Sequence, residues 1–248
     1  MNDKNLEVQL KNVDKLISKN KYADAINMLK AMAEQYKEPT EERAEILGKI
    51  SQAYYGLEGV KTNNAISFLI DSLNIRKELG QPEILALEMM NLAYLQDEAG
   101  DSKNASSTID EALEVASDLK DENLILSLKC AKADMLSEDK EREKEALDLY
   151  ASIMKDAEKS GDWENYFEAC VARIKIFRDN ENVFQANSEA EMNLKKADEI
   201  MSQIKTKKDK ETFRDIVSYL YDVSIDLAME SEDIPRAMEL AKKFKGEE

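Results

Sequence analysis

A small residue returns along this chain at nearly constant intervals. Ala25, Ala65, Ala105, Ala146, Ala190 and Ala237 stand 40, 40, 41, 44 and 47 residues apart. Most are followed four positions later by a large apolar residue, and all are followed three positions after that by a small or apolar one. The series reads Ala25–Leu29–Met32, Ala65–Leu69–Ser72, Ala105–Ile109–Ala112, Ala146–Tyr150–Ile153, Ala190–Leu194–Ala197 and Ala237–Ala241–Phe244. Steps of four and three keep such residues on one face of a helix. Self-similarity at a fixed period of this size is the signature of a repeat architecture, in which each unit buries its apolar face only against its neighbours.

Each alanine follows a polar or glycine-containing stretch: Asn20-Lys21, Gly59-Val60-Lys61, Gly100-Asp101, the 137–145 run, the 179–182 run and Glu232-Asp233. Ahead of each stretch lies a second apolar pattern at helical spacing, such as Leu85, Met89, Leu92 and Leu95, or Phe213, Ile216, Leu220, Val223 and Leu227. Every unit therefore reads helix, short turn, helix. The alanines have a steric reason, since a side chain larger than methyl would force apart two helices that cross closely. Unit boundaries carry stop signals at Glu38-Pro39-Thr40, Gly80-Gln81-Pro82 and Ser160-Gly161-Asp162. Pro235 falls in a first helical turn, where its missing N–H costs nothing. The pattern predicts twelve helices, over 3–19, 22–37, 40–57, 62–79, 82–99, 102–119, 122–137, 141–160, 162–179, 182–204, 207–231 and 234–245. They group into six hairpins of one repeat domain, 3–38, 40–80, 82–120, 122–160, 162–204 and 207–246. In the fifth, Ala186 competes with Ala190 for the crossing.

Composition agrees and removes much chemistry. Only 7 glycines and 3 prolines interrupt 248 residues, which favours long helices. There is no histidine, so His-based triads, His metal sites and imidazole pH switches are excluded. Cys130 and Cys170 form no CxxC and read as small buried apolar residues in a reduced compartment. No glycine-rich phosphate loop occurs, nor a run of apolar residues long enough to span a bilayer. The polar start, from Met1 to Glu7, has no apolar signal core, and cytoplasmic residence is the expectation. With 35 Lys+Arg against 52 Asp+Glu the net charge is −17, which repels phosphate backbones and argues against nucleic acid. The 205–214 basic cluster reads as a solvated helix junction, and the 138–145 charged run as an exposed first turn.

Asn91-Leu92-Ala93-Tyr94, followed by Gly100-Asp101, Ala105 and Ala112-Leu113, resembles the tetratricopeptide repeat. Lys21-Tyr22, Ala25-Ile26 and Leu29 carry the likeness in the first unit, Ala237 and Phe244 in the last. The period exceeds the family's usual 34, as in its extended members, and the helix-A aromatic is mostly missing. The resemblance implies an all-α, right-handed superhelical stack of about six antiparallel helix hairpins, a TPR-like solenoid. It also implies that the first helix of each hairpin lines a concave groove that takes an extended segment or helix of another protein. Offsets from the turns then nominate Lys49, Gln52, Tyr55, Asn91, Tyr94, Lys129, Lys132, Tyr166, Arg173 and Tyr221 as partner-binding residues. Lys129, Lys132, Arg173 and Lys175 are positive within an acidic region, and could receive a carboxylate or pair with local Glu. The family's carboxylate clamp for chaperone tails maps to Leu10, Asp14, Lys49, Leu87 and Asn91, and three of these depart from it. The long motifs of 14-3-3 proteins are not found.

The expected function is a non-enzymatic protein–protein interaction module or adaptor, with no catalytic residues, metal or cofactor. Its partner would be a protein or peptide, with neither nucleic acid nor membrane involved. The alternatives are a self-associating structural scaffold, in the simplest case a homodimer, and a ligand or peptide sensor.

Overall fold

The computed structural model describes residues 3–59 and 63–246, with side chains from Leu6 onward. Twelve helices account for the described residues: α1 Asp3–Ile17, α2 Tyr22–Ala33, α3 Glu41–Glu58, α4 Asn63–Leu79, α5 Pro82–Glu98, α6 Ser102–Leu119, α7 Glu122–Ser137, α8 Glu143–Ser160, α9 Trp163–Asp179, α10 Val183–Gln203, α11 Lys207–Glu230 and α12 Ile234–Lys245. No strand occurs among them. Val60 and Lys61 of the second expected turn lie outside the described residues. Three ends differ from expectation by two residues or more, and the first is α1, which stops at Ile17 rather than 19. α2 stops at Ala33 rather than 37, because Pro39 disfavours helical geometry at Glu38 and because Arg43 of α3 donates through Nη1 to the carbonyls of Ala33 and Tyr36. α8 begins at Glu143 rather than 141, because Asp139 turns the chain, accepting from the Glu141 amide at 2.9 Å and the Arg142 amide at 2.8 Å.

Most connections share one mechanism. Asn20, Gly80, Gly100, Lys120, Gly161, Glu181 and Glu232 all have positive φ, between 57° and 83°. The amide after each one donates to the carbonyl five residues back, as in Asp101 to Gln96, Asp162 to Ala157 and Asp233 to Ala228. This is the left-handed closure of a helix C-terminus. At five of these junctions the same residue then caps the next helix. Asp101, Asp121, Asp162, Asn182 and Asp233 each accept, through a side-chain oxygen, from the amide three positions on. One residue thus ends a helix with its N–H and starts another with its side chain. That is the physical content of the Gly-Asp step at residues 100–101.

The chain divides into two compact units, 1–128 and 129–248, with the division falling inside α7. In the first, each helix from α1 to α6 packs on the next. Its core contains Val13, Ala25, Leu29, Ile46, Ile50 and Ala53. In the second, each helix from α8 to α12 packs on the next, and α9 also packs directly on α11. Tyr150, Ile153, Phe167, Ile174, Leu220, Leu227 and Leu240 are fully buried there. Phe167 meets Tyr166 and Phe213 edge-on, at ring separations of 5.1 and 5.9 Å. The repeating alanines are all in the interior: Ala25, Ala65, Ala105, Ala146, Ala190 and Ala237 are at most 4% exposed. Ala186 is buried as well, so the fifth hairpin has two small residues at its crossing. Both cysteines are buried, which pushes both thiols well above their ordinary range. No helix among the described residues is long and apolar enough to cross a membrane.

Candidate functional site

In the first unit, the alternate helices α3 and α5 wall a groove of about 540 Å³. Lys49, Gln52, Tyr55, Asn91 and Tyr94 all line it, so five residues nominated from sequence offsets share one surface. They do so because Lys49, Gln52 and Tyr55 stand three apart on α3, and Asn91 and Tyr94 three apart on α5. Lys49 Nζ lies 2.6 Å from Asp14 Oδ1 on α1. A carboxylate from the chain's own α1 therefore already occupies the cation that a chaperone-tail clamp would need. Tyr55 donates through its hydroxyl to Glu98 Oε1 at 3.0 Å, and that bond, with some burial, holds its phenol above the ordinary range. Beneath, Arg76 and Glu88 pair at 3.4 Å, and the Ser72 hydroxyl sits 2.7 Å from Glu88 Oε2 and 2.9 Å from the Ala44 carbonyl. The groove is close to balanced in charge, with Glu45, Glu88 and Glu98 against Lys49 and Arg76.

The second unit distributes its nominated residues differently. Tyr166 is buried, donates to Asn193 Oδ1 at 2.8 Å, and carries the Lys196 ammonium 5.0 Å above its ring. Tyr221 is buried with its ring 5.2 Å from that of Phe244. Arg173 holds Glu189 through Nε and Nη2, and donates through Nη1 to the Leu147 carbonyl at 2.8 Å. These three residues join helices to one another, and their functional groups are spent there. Lys129 is half-buried, with Nζ 3.9 Å from Asp156, and Lys132 is half-buried on the same helix.

The groove of this unit, about 680 Å³, is lined instead by residues one or two positions away on α9. Glu164, Glu168, Lys175 and Asp179 form a stripe at steps of four, seven and four. Asp134 comes from α7 and Glu138 from the turn just after it, and Asp215, Ile216 and Tyr219 from α11. Glu168 keeps an exposed side chain, but the groove walls strip part of the water from its carboxyl and raise it, and the nearby carboxylates of Asp134, Glu164 and Asp162 raise it further. Tyr150 donates to Asp134, and its own phenol is pushed far up by burial first and by that carboxylate second. At the rim, hydrogen bonds from Lys140 and then Asn180 hold Glu143 below the ordinary carboxylate range. The periodic stripe on α9 was present in the sequence, but the turn-based offsets selected its neighbours. No group of three or more metal-ligating side chains occurs among the described residues. Both grooves offer open surface with fixed charge and apolar area, suited to contact with another chain.

No protein-family model matches the sequence, and no curated protein matches it. Solved structures do. The tetratricopeptide repeat sensor protein of the STAND ATPase class from Pyrococcus horikoshii is similar at TM-score 0.66 and 15% identity, over 98% of this chain and 36% of that one. The nearly identical TPR-like repeats of a kinesin light chain-type protein from Podosopora anserina match at 0.62 and 14%, over 75% and 92%. A Rap protein complexed with Competence and Sporulation Factor matches at 0.58 and 14%, over 95% and 72%. The chain has the all-α, TPR-like solenoid fold.

Proposed function

We propose that this chain is a non-enzymatic interaction module, one array of six hairpins that takes a segment of a partner protein along the faces of its alternate helices. The observation that carries this reading is the gathering of Lys49, Gln52, Tyr55, Asn91 and Tyr94 on one open groove of the first unit. Tyr55 is 39% exposed and Gln52 and Asn91 are exposed, so they have surface left to give a partner. Aromatic and amide groups on rigid helices lose little conformational entropy on binding, which suits them as anchors. The Rap complex supports the reading, as a protein of this fold bound to its factor. Net charge of −17 directs the partner away from nucleic acid.

The test is affinity capture from native extract with the full chain, followed by capture with two variants. One carries Gln52→Ala, Asn91→Ala and Tyr94→Ala; the other carries Tyr219→Ala. The expected result is a discrete protein retained by the parent chain and lost with one of the variants while thermal melting is unchanged. Capture of no protein, or capture indifferent to both variants, overturns the reading.

A second reading has its own observation. The terminal hairpin exposes Met229, Ile234 and Met238 at 51%, 45% and 56%. A second copy docking there would make the chain a self-associating scaffold. Sedimentation over a dilution series decides it, since a monomer at every concentration removes this option.

A further inference from the structure

We infer that the groove of the second unit receives a basic amphipathic segment of a partner protein. This rests on the reading of the chain as an interaction module and adds the partner's chemistry. The groove has an apolar floor and wall, made by Phe167, Val171 and Ile176 of α9 with Ile216 and Tyr219 of α11. Phe167 is backed by the core, whereas Tyr219 stands 69% exposed at the wall. An aromatic ring so exposed loses apolar surface to water that a partner would cover.

The charge on this groove selects the occupant. Seven carboxylates line it against two ammonium groups, Lys140 and Lys175. Lys140 lies 2.7 Å from Glu143, so it is already answered from within the rim. Glu138, Glu164, Glu168, Asp179 and Asp215 ring the apolar floor. The first-unit groove has no such imbalance, with three carboxylates to two cations. The acidity is therefore a property of this groove and not merely of the whole chain.

Glu168 reports the strain of that arrangement. Its carboxyl is raised by partial loss of water and by Asp134, Glu164 and Asp162, which means that its anion is held beside like charge. A cation entering the groove relieves that repulsion. Lys or Arg side chains do this while laying their methylenes on apolar surface, and their charged heads are attracted to an aromatic face such as Tyr219. From Glu164 to Asp179 the α9 stripe runs about 22 Å at the helical rise, long enough for roughly four turns of a helical ligand. A phosphate-bearing partner would meet the wrong sign, and an acidic segment would be repelled.

Fluorescence anisotropy with two labelled synthetic peptides tests this on the full chain. One carries Leu and Lys in an amphipathic helical pattern; the other keeps the Leu positions and replaces every Lys with Glu. The expected result is at least tenfold tighter binding of the Lys peptide. Glu164→Gln with Glu168→Gln should weaken it at least fivefold, and Tyr219→Ala should weaken it several-fold. All three positions are at the surface, so melting temperature confirms that the variants fold. Lys103→Ala, at an exposed position of α6 in the first unit, should change nothing. Equal binding of the two peptides, no binding of the Lys peptide, or binding indifferent to the Glu164/Glu168 and Tyr219 variants overturns the inference. Those outcomes leave the interaction module standing if native capture still depends on Gln52, Asn91 and Tyr94. Failure of capture altogether removes the broader reading instead.

Discussion

Arg173 of α9 grips Glu189 of α10 with two nitrogens, Nε and Nη2, while its third nitrogen satisfies the Leu147 carbonyl of α8. The Glu189 side chain is 4% exposed and that of Arg173 17%. One guanidinium thereby ties three successive helices. Removing one partner of a buried pair strands the other charge, which is far costlier than the pair is favourable. Glu189→Ala is expected to destabilise the chain by about 3 kcal/mol in urea unfolding. The double substitution Arg173→Met with Glu189→Leu should recover most of that loss. If the double variant is no better than the single one, the pair is not the source of the cost.

Gly56 of α3 lies under the ring of Tyr22 from α2. A Cβ built at position 56 would stand 2.3 Å from Tyr22 Cε1, closer than atoms can approach. Gly56→Ala therefore has to push the ring aside, at a cost of about 1–3 kcal/mol for overpacking. Adding Tyr22→Ala should abolish the conflict, so the two changes couple strongly in a double-mutant cycle. Additive effects would mean that the ring moves freely.

Glu232 carries a left-handed backbone, with φ of 59°, at the turn between α11 and α12. A residue with a Cβ pays roughly 1–2 kcal/mol in that conformation, and glycine escapes it. Part of the gain is returned through the freer unfolded chain. Glu232→Gly should raise stability by about 0.5–1 kcal/mol, seen as a higher unfolding midpoint at unchanged slope. A loss of stability would show that the carboxylate has a structural task at that turn.

Ala105 is 1% exposed at the crossing of α5 and α6. Ala105→Leu should cost about 1–3 kcal/mol, because a side chain three carbons larger has no room there. Chemical denaturation reads it directly, and an unchanged midpoint would remove the crossing assignment.

The raised carboxyl of Glu168 makes a prediction about acid. Partial loss of water and the carboxylates of Asp134, Glu164 and Asp162 favour its protonated form in the folded chain; Asp215 and Glu138 line the same groove, as does the opposing Lys175. The native state thus holds this proton more tightly than the unfolded state, whose carboxyl titrates near 4.5. Stability contributed at this position rises as pH falls from neutral through the folded pKa toward 4.5. Glu168→Gln should accordingly be more stable than the parent chain at neutral pH. The advantage should shrink to nothing as pH approaches 4.5. A constant or reversed difference across that window would contradict the assignment.

Much of this architecture was legible in advance, and the reasons are local. The repeating alanines mark helix crossings because only a methyl fits there, and Asp101 or Asp162 mark helix starts because a carboxylate answers free amides. What depended on distant contacts was not legible. The end of α2 at Ala33 is fixed by Arg43, which lies beyond the turn. Helix α9 was harder still. Asn165, Tyr166, Phe167, Ala169, Cys170, Val171, Ile174 and Ile176 are all buried on it, so it has almost no plain polar face from which to read direction. Turn offsets therefore selected Tyr166 and Arg173, one or two residues from the groove wall. In α3, buried chiefly through Ala44, Ile46, Leu47, Ile50, Ser51 and Ala53, the same offsets landed on the groove.

The interlocking of neighbours has a consequence for how such a chain is made. Asp14 waits for Lys49, only 35 positions later, and Glu191 for Arg236, 45 positions later. Each bond needs only the following hairpin to be present before it can close. Loops of that length close quickly, and a chain built from short-range pairings assembles stepwise and early. The amino-terminal hairpins can thus be finished objects while the carboxyl-terminal ones are still being translated.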